Sequence, residues 1–557
     1  MIFGDTSKPL IVQADQSILL ETYHPQFQAA RDGITPFCEL EKSPEHIHTY
    51  RLSALSLWNA ASAGMSCDEI LDRLKTYSRF PLPQNIIRFI TDIIGRYGSL
   101  VLENTDDPMV LRLDIKDPQI YQEILHRKHL QKYLIPEGGG FNVNLLDRGT
   151  VKVELIKIGY PVKDVGELST GDPLEISLRE VAVSGRLFQI RDYQKEAGDS
   201  FWANGAAGNG FGVIVLPCGA GKTIVGINVM SLLQTNTLIL TTNVAAVHQW
   251  IDELCDKTCI PREHIGEYSG EAKQIRPVTV ATYQILTYRS KKENDFPHFS
   301  LFKAGNWGLI IYDEVHLLPA PVFRITAEIQ SVRRLGLTAT LVREDGKEYE
   351  VFSLVGPKRY DVPWKEMEQK GWIAEAVCHE IRVELPDELK PEYAAAGTRT
   401  KYRIACENYK KEHIILDLLE NHKDDSVLII GQYIQQLERI AKRLEVPLIT
   451  GSTPNKEREA IYARFKEGLD KVIVVSKVAN FAIDLPDASV AIQISGTFGS
   501  RQEEAQRLGR ILRPKEKNSY FYSLISQYTI EETYALNRQK FLTEQGYAYH
   551  IDVWGEE

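Results

Sequence analysis

The stretch Val213-Ile-Val-Leu-Pro-Cys-Gly-Ala-Gly-Lys-Thr223 decides how the rest of this chain is read. The apolar run Phe211 to Leu216 predicts a buried strand, and Ile224 to Met230, just after Lys222-Thr223, predicts a helix. A turn between a strand and a helix N-terminus aims backbone N–H groups at an anion, and the helix dipole favours negative charge there. Pro217, Cys218, Gly219, Ala220 and Gly221 form that turn, and its glycines let the backbone come close to phosphate oxygens. In this reading Lys222 reaches the β- and γ-phosphates of a nucleotide, and the Thr223 hydroxyl ligates magnesium. The first glycine of G-x-x-x-x-G-K-T is Leu216 here. Taken alone, a structural turn ahead of a core helix also explains the stretch, so partners elsewhere in the chain decide between the two.

The chain has 557 residues, enough for about three or four domains. Its 43% hydrophobic and 25% charged residues fit a soluble globular protein. A formal charge of −10 excludes a surface coated in basic residues, though a local basic groove is compatible with it. The 7 cysteines are scattered, and Cys255 and Cys259 have no second pair to complete a zinc set. That usage fits a reducing compartment. Met1-Ile-Phe-Gly-Asp5 shows no secretory pattern, and no run approaches membrane-spanning length, so the expectation is a cytoplasmic protein with no membrane contact.

Residues 10–21 read as two short strands around a polar turn. Helical patterns follow at Leu52–Met65, after the capping box Ser66-Cys-Asp-Glu69, and at Gln84–Tyr97. Asn104-Thr-Asp-Asp-Pro108 between apolar runs signals a hairpin. Helices plus hairpin suggest a winged-helix-like N-terminal domain over 1–115. A small α/β domain over 116–180 includes a helix over Pro118–Leu134 and an alternating segment, Gly149-Thr-Val-Lys-Val-Glu-Leu-Ile156, read as a strand. From 181 to 365 apolar strands (Thr237–Leu240, Val278–Ala281, Leu309–Tyr312, Arg334–Leu337) alternate with helices. A second block of the same kind covers 366–557, with strands Ser426–Ile430, Leu448–Thr450, Lys471–Val475, Val490–Ile494 and Tyr520–Leu524. The fold class is therefore α/β: two parallel-sheet domains, of which only the first carries a phosphate loop, with ligands at the carboxyl ends of strands.

The strand Leu309–Tyr312 ends in Asp313-Glu-Val-His316. Asp313 can hold the hydration shell of Mg²⁺, and Glu314 can orient or deprotonate an attacking water. Hydroxyls in Leu337-Thr-Ala-Thr340 can bond to His316 or Glu314. Upstream, Ile190-Arg-Asp-Tyr-Gln194 offers Arg191 beside the amide of Gln194, which suits an adenine edge. In the second block Gln506, Arg510 and Arg513 fall at i, i+4 and i+7, one helix face from which guanidinium groups can neutralise charge on a γ-phosphate. Hydroxyls at strand ends, Thr242, Thr282 and Thr453, together with Lys477, suit phosphate contacts without sequence reading.

Gln194, Pro217–Thr223, Asp313–His316, Leu337–Thr340 and Gln506–Arg513 stand in the order of superfamily 2 helicases and translocases. More narrowly, the chain resembles the xeroderma pigmentosum group B (XPB) helicase family, in bacterial form. Arg343-Glu-Asp345 looks like that family's R-E-D motif, and Gly371-Trp-Ile-Ala374 resembles its entry to the second module. Ser476 to Pro486 resembles its motif V with Asp484 kept, and the tail Glu532 to Tyr547 is similar too. The resemblance implies two RecA-like domains, ATP and Mg²⁺ as cofactors, and movement on duplex, forked or single-stranded DNA with 3′–5′ polarity, in repair or transcription. It implies roles in DNA opening for Arg343, Glu344 and Asp345, a nucleotide contact for Asp484, and admits an accessory nuclease as a partner. It also implies a thumb-like insertion, placed at Pro386–Glu412 with Arg399, Lys401, Arg403, Lys410 and Lys411. Alternatives fit part of the pattern: a duplex translocase that remodels protein–DNA complexes without separating strands, an RNA helicase, or a non-catalytic DNA-binding scaffold.

Overall fold

The structure is a computed structural model. It describes residues 5–42, 46–62, 64–107, 110–144, 147–164, 171–202, 210–217, 219–286, 288, 298, 301–317, 333–339, 351, 355–356, 358–362, 364–476, 488–496, 500–509, 511–512 and 518–555. The chain divides into two compact units: Met1–Val215, Lys222–Thr338 and Lys347–Asp361 in the first; Leu216–Gly221, Ala339–Gly346 and Val362–Glu557 in the second.

The first unit opens with an antiparallel sheet of β1 (Leu10–Val12), β2 (Ser17–Glu21), β3 (Glu39–Lys42) and β4 (Ile47–Arg51), in the order β1-β2-β4-β3. The expected helices form at Ala54–Ser62, Cys67–Tyr77 and Gln84–Arg96, and Leu57, Ile70, Leu74, Ile86 and Ile90 join Leu10, Ile18 and Leu20 in one core. Ser66 caps its helix by accepting from the Glu69 N–H at 3.2 Å. The hairpin also forms, as β5 (Leu100–Asn104) and β6 (Val110–Ile115). It pairs, however, with β7 (Leu134–Glu137), β8 (Gly140–Asn144) and β9 (Val162–Asp164) in one sheet ordered β7-β8-β6-β5-β9. A boundary at 115/116 would cut that sheet, because Leu111 and Leu113 share a core with Phe141 and Val143. The segment read as a strand near 149–156 is the helix Arg148–Lys157. Val151 and Leu155 are its buried residues, and a spacing of four satisfies a helical stripe as well as an alternating strand.

From Asp172 the chain is already strapped to the parallel-sheet region, through Asp172 N–H to Asn306 O (3.1 Å) and Asn236 N–H to Asp172 O (2.9 Å). That sheet contains β10 (Phe211–Val215), β11 (Thr237–Thr241), β12 (Ile265–Tyr268), β13 (Val278–Thr282), β14 (Leu309–Asp313), β15 (Arg333–Thr338) and β16 (Lys358–Asp361). All neighbours are parallel, in the order β12-β13-β11-β14-β15-β10-β16. Every residue of β11 and β13 is buried, as expected of strands covered on both faces.

The second unit repeats the plan with β17 (Ala376–Glu384), β18 (Val427–Gly431), β19 (Leu448–Ile449), β20 (Val472–Ser476), β21 (Val490–Gln493), β22 (Ser519–Gln527) and β23 (Tyr549–Val553). Its order is β19-β20-β18-β21-β22-β17-β23, again all parallel. Counted along the chain within each sheet, both read 3-4-2-5-6-1-7. The segment expected to be thumb-like folds as a short turn at Asp387–Leu389, the helices Lys390–Ala395 and Thr398–Cys406, and the start of Lys411–Asn421. Lys411 does not belong to a basic stripe. It is wholly buried, and its ammonium donates to both oxygens of the equally buried Glu531 (2.8 and 2.9 Å) and to Ile494 O (3.0 Å). Among the described residues no helix is long and apolar enough to cross a membrane.

Candidate nucleotide site and helicase motifs

Strand register builds the site. Val215 of β10 pairs with Thr338 of β15, and Leu337 of β15 pairs with Asp313 of β14. Three carboxyl ends therefore stop within one residue of the same level. From the first, the turn Leu216–Gly221 leads into the helix Lys222–Leu233. Gly219 and Gly221 have φ of +80° and +76°, a left-handed backbone that residues with a Cβ rarely adopt, and Ala220 N–H donates to Pro217 O at 3.2 Å. The turn leads directly into the helix N-terminus, with Lys222 and Thr223 half-buried in its first turn. Cys218 lies outside the described residues.

The second strand end carries Asp313. Its carboxylate accepts from the Trp250 indole N–H at 2.9 Å through Oδ2, and from the Glu314 backbone N–H at 3.1 Å through Oδ1. The Tyr283 hydroxyl donates to its carbonyl at 2.9 Å. Burial, and then the adjacent Glu314 charge, push the Asp313 carboxyl up to about 6; the Trp250 hydrogen bond and the Lys222 ammonium oppose them. Glu314 turns out of the strand with φ +51°, an uncommon conformation for a residue with a Cβ, of the kind found at functional sites. Its buried Oε2 lies 3.3 Å from His316 Nδ1 and accepts no hydrogen bond among the described residues. From the third strand end, Thr338 Oγ1 lies 3.1 Å from His316 Nδ1, the contact that the sequence led us to expect; Thr340 lies outside the described residues.

Gln194 is buried in the first turn of the helix Asp192–Trp202, where its Oε1 accepts from the Arg191 N–H at 3.0 Å and its amide is 3.4 Å from the Tyr193 hydroxyl. Arg191 also reaches the Tyr193 hydroxyl, at 3.3 Å. The strand-end hydroxyls sit in local turns: Thr242 Oγ1 accepts from Asn243 Nδ2 (3.1 Å), Thr282 Oγ1 from Ile285 N–H (3.4 Å), and Thr453 Oγ1 from Thr450 N–H (3.0 Å). In the second unit the helix Arg501–Gly509 carries Gln506, and buried Glu504 anchors it, accepting from Gln493 Nε2 (2.8 Å) and lying 3.4 Å from Arg538 Nε. Arg343, Glu344, Asp345, Lys477, Asp484, Arg510 and Arg513 fall outside the described residues. Sequence reasoning missed Trp250, and it read Tyr283 only as part of a DNA-contact stretch, Thr282-Tyr283-Gln284, not as a group bonded to Asp313. The interior glycine of the helix Lys222–Leu233, Gly226, was the available signal: glycine costs about 1 kcal/mol in a helix, so something must need the space.

Residues 367–553 match the family model described as ERCC3/RAD25/XPB C-terminal helicase, 187–343 match Type III restriction enzyme, res subunit, and 10–137 match Helicase conserved C-terminal domain. A protein of Mycobacterium tuberculosis named DNA 3'-5' helicase XPB is 49% identical over 550 residues, 98% of each chain. The chain belongs to the XPB helicase family. The XPB helicase of Kineococcus radiotolerans is 48% identical over 552 residues, covering 98% of this chain and 96% of its own. An XPB of Encephalitozoon cuniculi is named a helicase/translocase subunit of general transcription and DNA repair factor IIH. It is 33% identical over 565 residues, 98% of this chain and 83% of its own. XPB membership thus extends over the whole chain.

Proposed function

We propose that this XPB-family chain is a DNA-dependent ATPase that moves 3′ to 5′ and opens DNA, in repair or transcription. The observation that carries the reading is the common level of the three strand ends, which brings Lys222, Asp313, Glu314 and Thr338 to one edge of one sheet. Lys222 balances phosphate charge, and the loop N–H groups hold the phosphate oxygens. The residues suit Mg²⁺: Asp313 and Glu314 are adjacent acids, one pushed toward protonation by burial, and Glu314 Oε2 is buried without a hydrogen bond among the described residues. Thr223 and Asp313 would hold the ion, which when bound supplies charge neutralisation at the β- and γ-phosphates. Glu314 takes the proton of the attacking water, with the His316 imidazole beside it and Thr338 close to the same ring nitrogen.

Arg510 and Arg513, with Gln506, complete the reading as the cationic groups that answer the γ-phosphate; Gln194 with Arg191, and Asp484, belong to nucleotide binding. DNA contacts fall to Thr242, Thr282, Thr453 and Lys477, and opening to Arg343, Glu344 and Asp345, with little sequence specificity. An accessory nuclease and a cytoplasmic location belong to the same proposal, as do four functional regions along the chain.

ATP turnover measured with single-stranded, duplex and forked DNA tests it. Lys222→Ala and Glu314→Gln should abolish turnover while DNA binding persists; normal stimulated turnover by Glu314→Gln removes that residue from the base role. The Encephalitozoon cuniculi relative's name joins helicase with translocase, which favours a second reading, translocation on duplex without strand separation. Triplex displacement without unwinding of a 3′-tailed fork would select it.

A further inference from the structure

Trp250 is 2% exposed, on the helix Val244–Lys257, and would ordinarily be read as core. Its surroundings give it more to do. The indole N–H is spent on Asp313 Oδ2 at 2.9 Å, while the other carboxylate oxygen takes the Glu314 N–H at 3.1 Å. Two donors from different elements therefore fix the plane of that carboxylate. The position of the indole is fixed in turn by Gly226, one helical turn beyond Lys222. A Cβ there would lie 2.6 Å from Trp250 Cη2 and 3.4 Å from Leu337 Cδ1, so only glycine admits the ring. The helix that starts with Lys222-Thr223, the indole and Asp313 form one contiguous stack. The tryptophan's own helix begins at Asn243, whose side chain caps it by accepting from Ala246 N–H at 2.9 Å, and Gln284 donates to the carbonyl of the preceding Thr242. Seven residues of helix, about 10 Å, separate that end from Trp250.

We propose that Trp250 is a positioning residue, aiming the Asp313 carboxylate at Mg²⁺–nucleotide and passing movement of the Thr242–Asn243 turn, when DNA engages it, to that carboxylate. The proposal rests on the ATPase reading above. A rigid helix with a phosphate-contact candidate at its cap and a hydrogen-bonded indole on its second turn is a lever. DNA seated at the cap rotates or translates the indole, and Asp313 follows its only side-chain donor among the described residues.

Trp250→Phe keeps an aromatic ring and deletes the N–H. The measurements are the affinity of full-length protein for a fluorescent ADP in EDTA and in Mg²⁺, forked-DNA affinity without nucleotide, and Mg²⁺ titrations of ATP turnover with and without DNA. The expected result is unchanged DNA affinity and unchanged nucleotide affinity in EDTA. The gain in nucleotide affinity on adding Mg²⁺ falls by about tenfold to a hundredfold, the range for one hydrogen bond to a charged group. The half-saturating Mg²⁺ concentration rises in parallel, and the stimulation by DNA shrinks. Gly226→Ala, which keeps the indole N–H but displaces the ring that carries it away from Asp313, should give the same selective loss and serves if Trp250→Phe does not fold. A wild-type Mg²⁺ gain in both variants overturns the proposal, as does loss of EDTA nucleotide affinity and DNA affinity along with it, the mark of a merely structural tryptophan. Wild-type protein lacking both Mg²⁺-dependent nucleotide binding and turnover would sink the ATPase reading itself, a separate outcome.

Discussion

Replacing Lys411 by methionine separates a packing role from a DNA-binding role in the segment after β17. Both Lys411 and Glu531 are fully buried, and the ammonium donates to two carboxylate oxygens and one carbonyl. Glu531 also accepts from Ser526 N–H at 2.9 Å and lies 3.4 Å from Cys406 Sγ. Removing the lysine charge leaves a carboxylate in the interior with too few donors, a loss of roughly 3–5 kcal/mol. An exposed lysine on a DNA-gripping face would contribute about 0–1 kcal/mol instead. Urea unfolding of the full chain, followed by far-UV circular dichroism, reads the difference as a lower midpoint for the transition of the second unit. The double variant Lys411→Met/Glu531→Leu removes both charges and should recover most of the loss, because a buried pair replaced by apolar groups is often near neutral. The reasoning is refuted if Lys411→Met costs under about 1 kcal/mol and weakens forked-DNA binding with a salt slope lowered by about one.

In metal-free protein burial and the neighbouring Glu314 charge hold the Asp313 carboxyl above its ordinary value, so its contribution to folding is present at low pH and is lost as pH rises through the raised value. Asp313→Asn in EDTA should therefore gain stability relative to wild type as pH rises from 4 to 8; an equal gap at both pH values in thermal unfolding counts against it. A Cβ on Gly496 collides with the guanidinium of buried Arg538, so Gly496→Ala should cost about 1–3 kcal/mol, and a wild-type Tm would show that Arg538 can move aside. Ser66→Ala removes the cap on Glu69 N–H and should cost about 1 kcal/mol, read by the same melts.

The parallel sheets were legible because their central strands are unbroken apolar runs; the sequence reading found β11, β13, β14, β15, β18, β20 and β21 to within a residue or two. It missed β16, whose Lys358 and Arg359 are charged and nevertheless buried, bonding to the carbonyls of Glu41 (3.2 Å) and Thr35 (2.7 Å) in the N-terminal sheet region. A partner more than 300 positions away leaves no local trace. It also missed β23, an edge strand with exposed residues, and turned the helix Arg148–Lys157 into a strand because Val151 and Leu155 suit either period. At the site, residue type and order pointed to Lys222, Asp313 and Glu314. The groups that hold Asp313 were hidden, since an isolated tryptophan in an amphipathic helix looks like any other core residue.

The two sheets share the ordering 3-4-2-5-6-1-7, so the segment after β17 occupies the topological position that the glycine turn holds after β10. There the chain runs instead into Leu385-Pro386 and the helices Lys390–Ala395 and Thr398–Cys406, with no Gly-Lys-Thr. A duplicated scaffold has thus been fitted with different tools at the same socket: anion-cradling amides in one copy, a packed helical graft in the other. Transplants between the copies should respect the strands and exchange only the connection that leaves the first strand of each sheet.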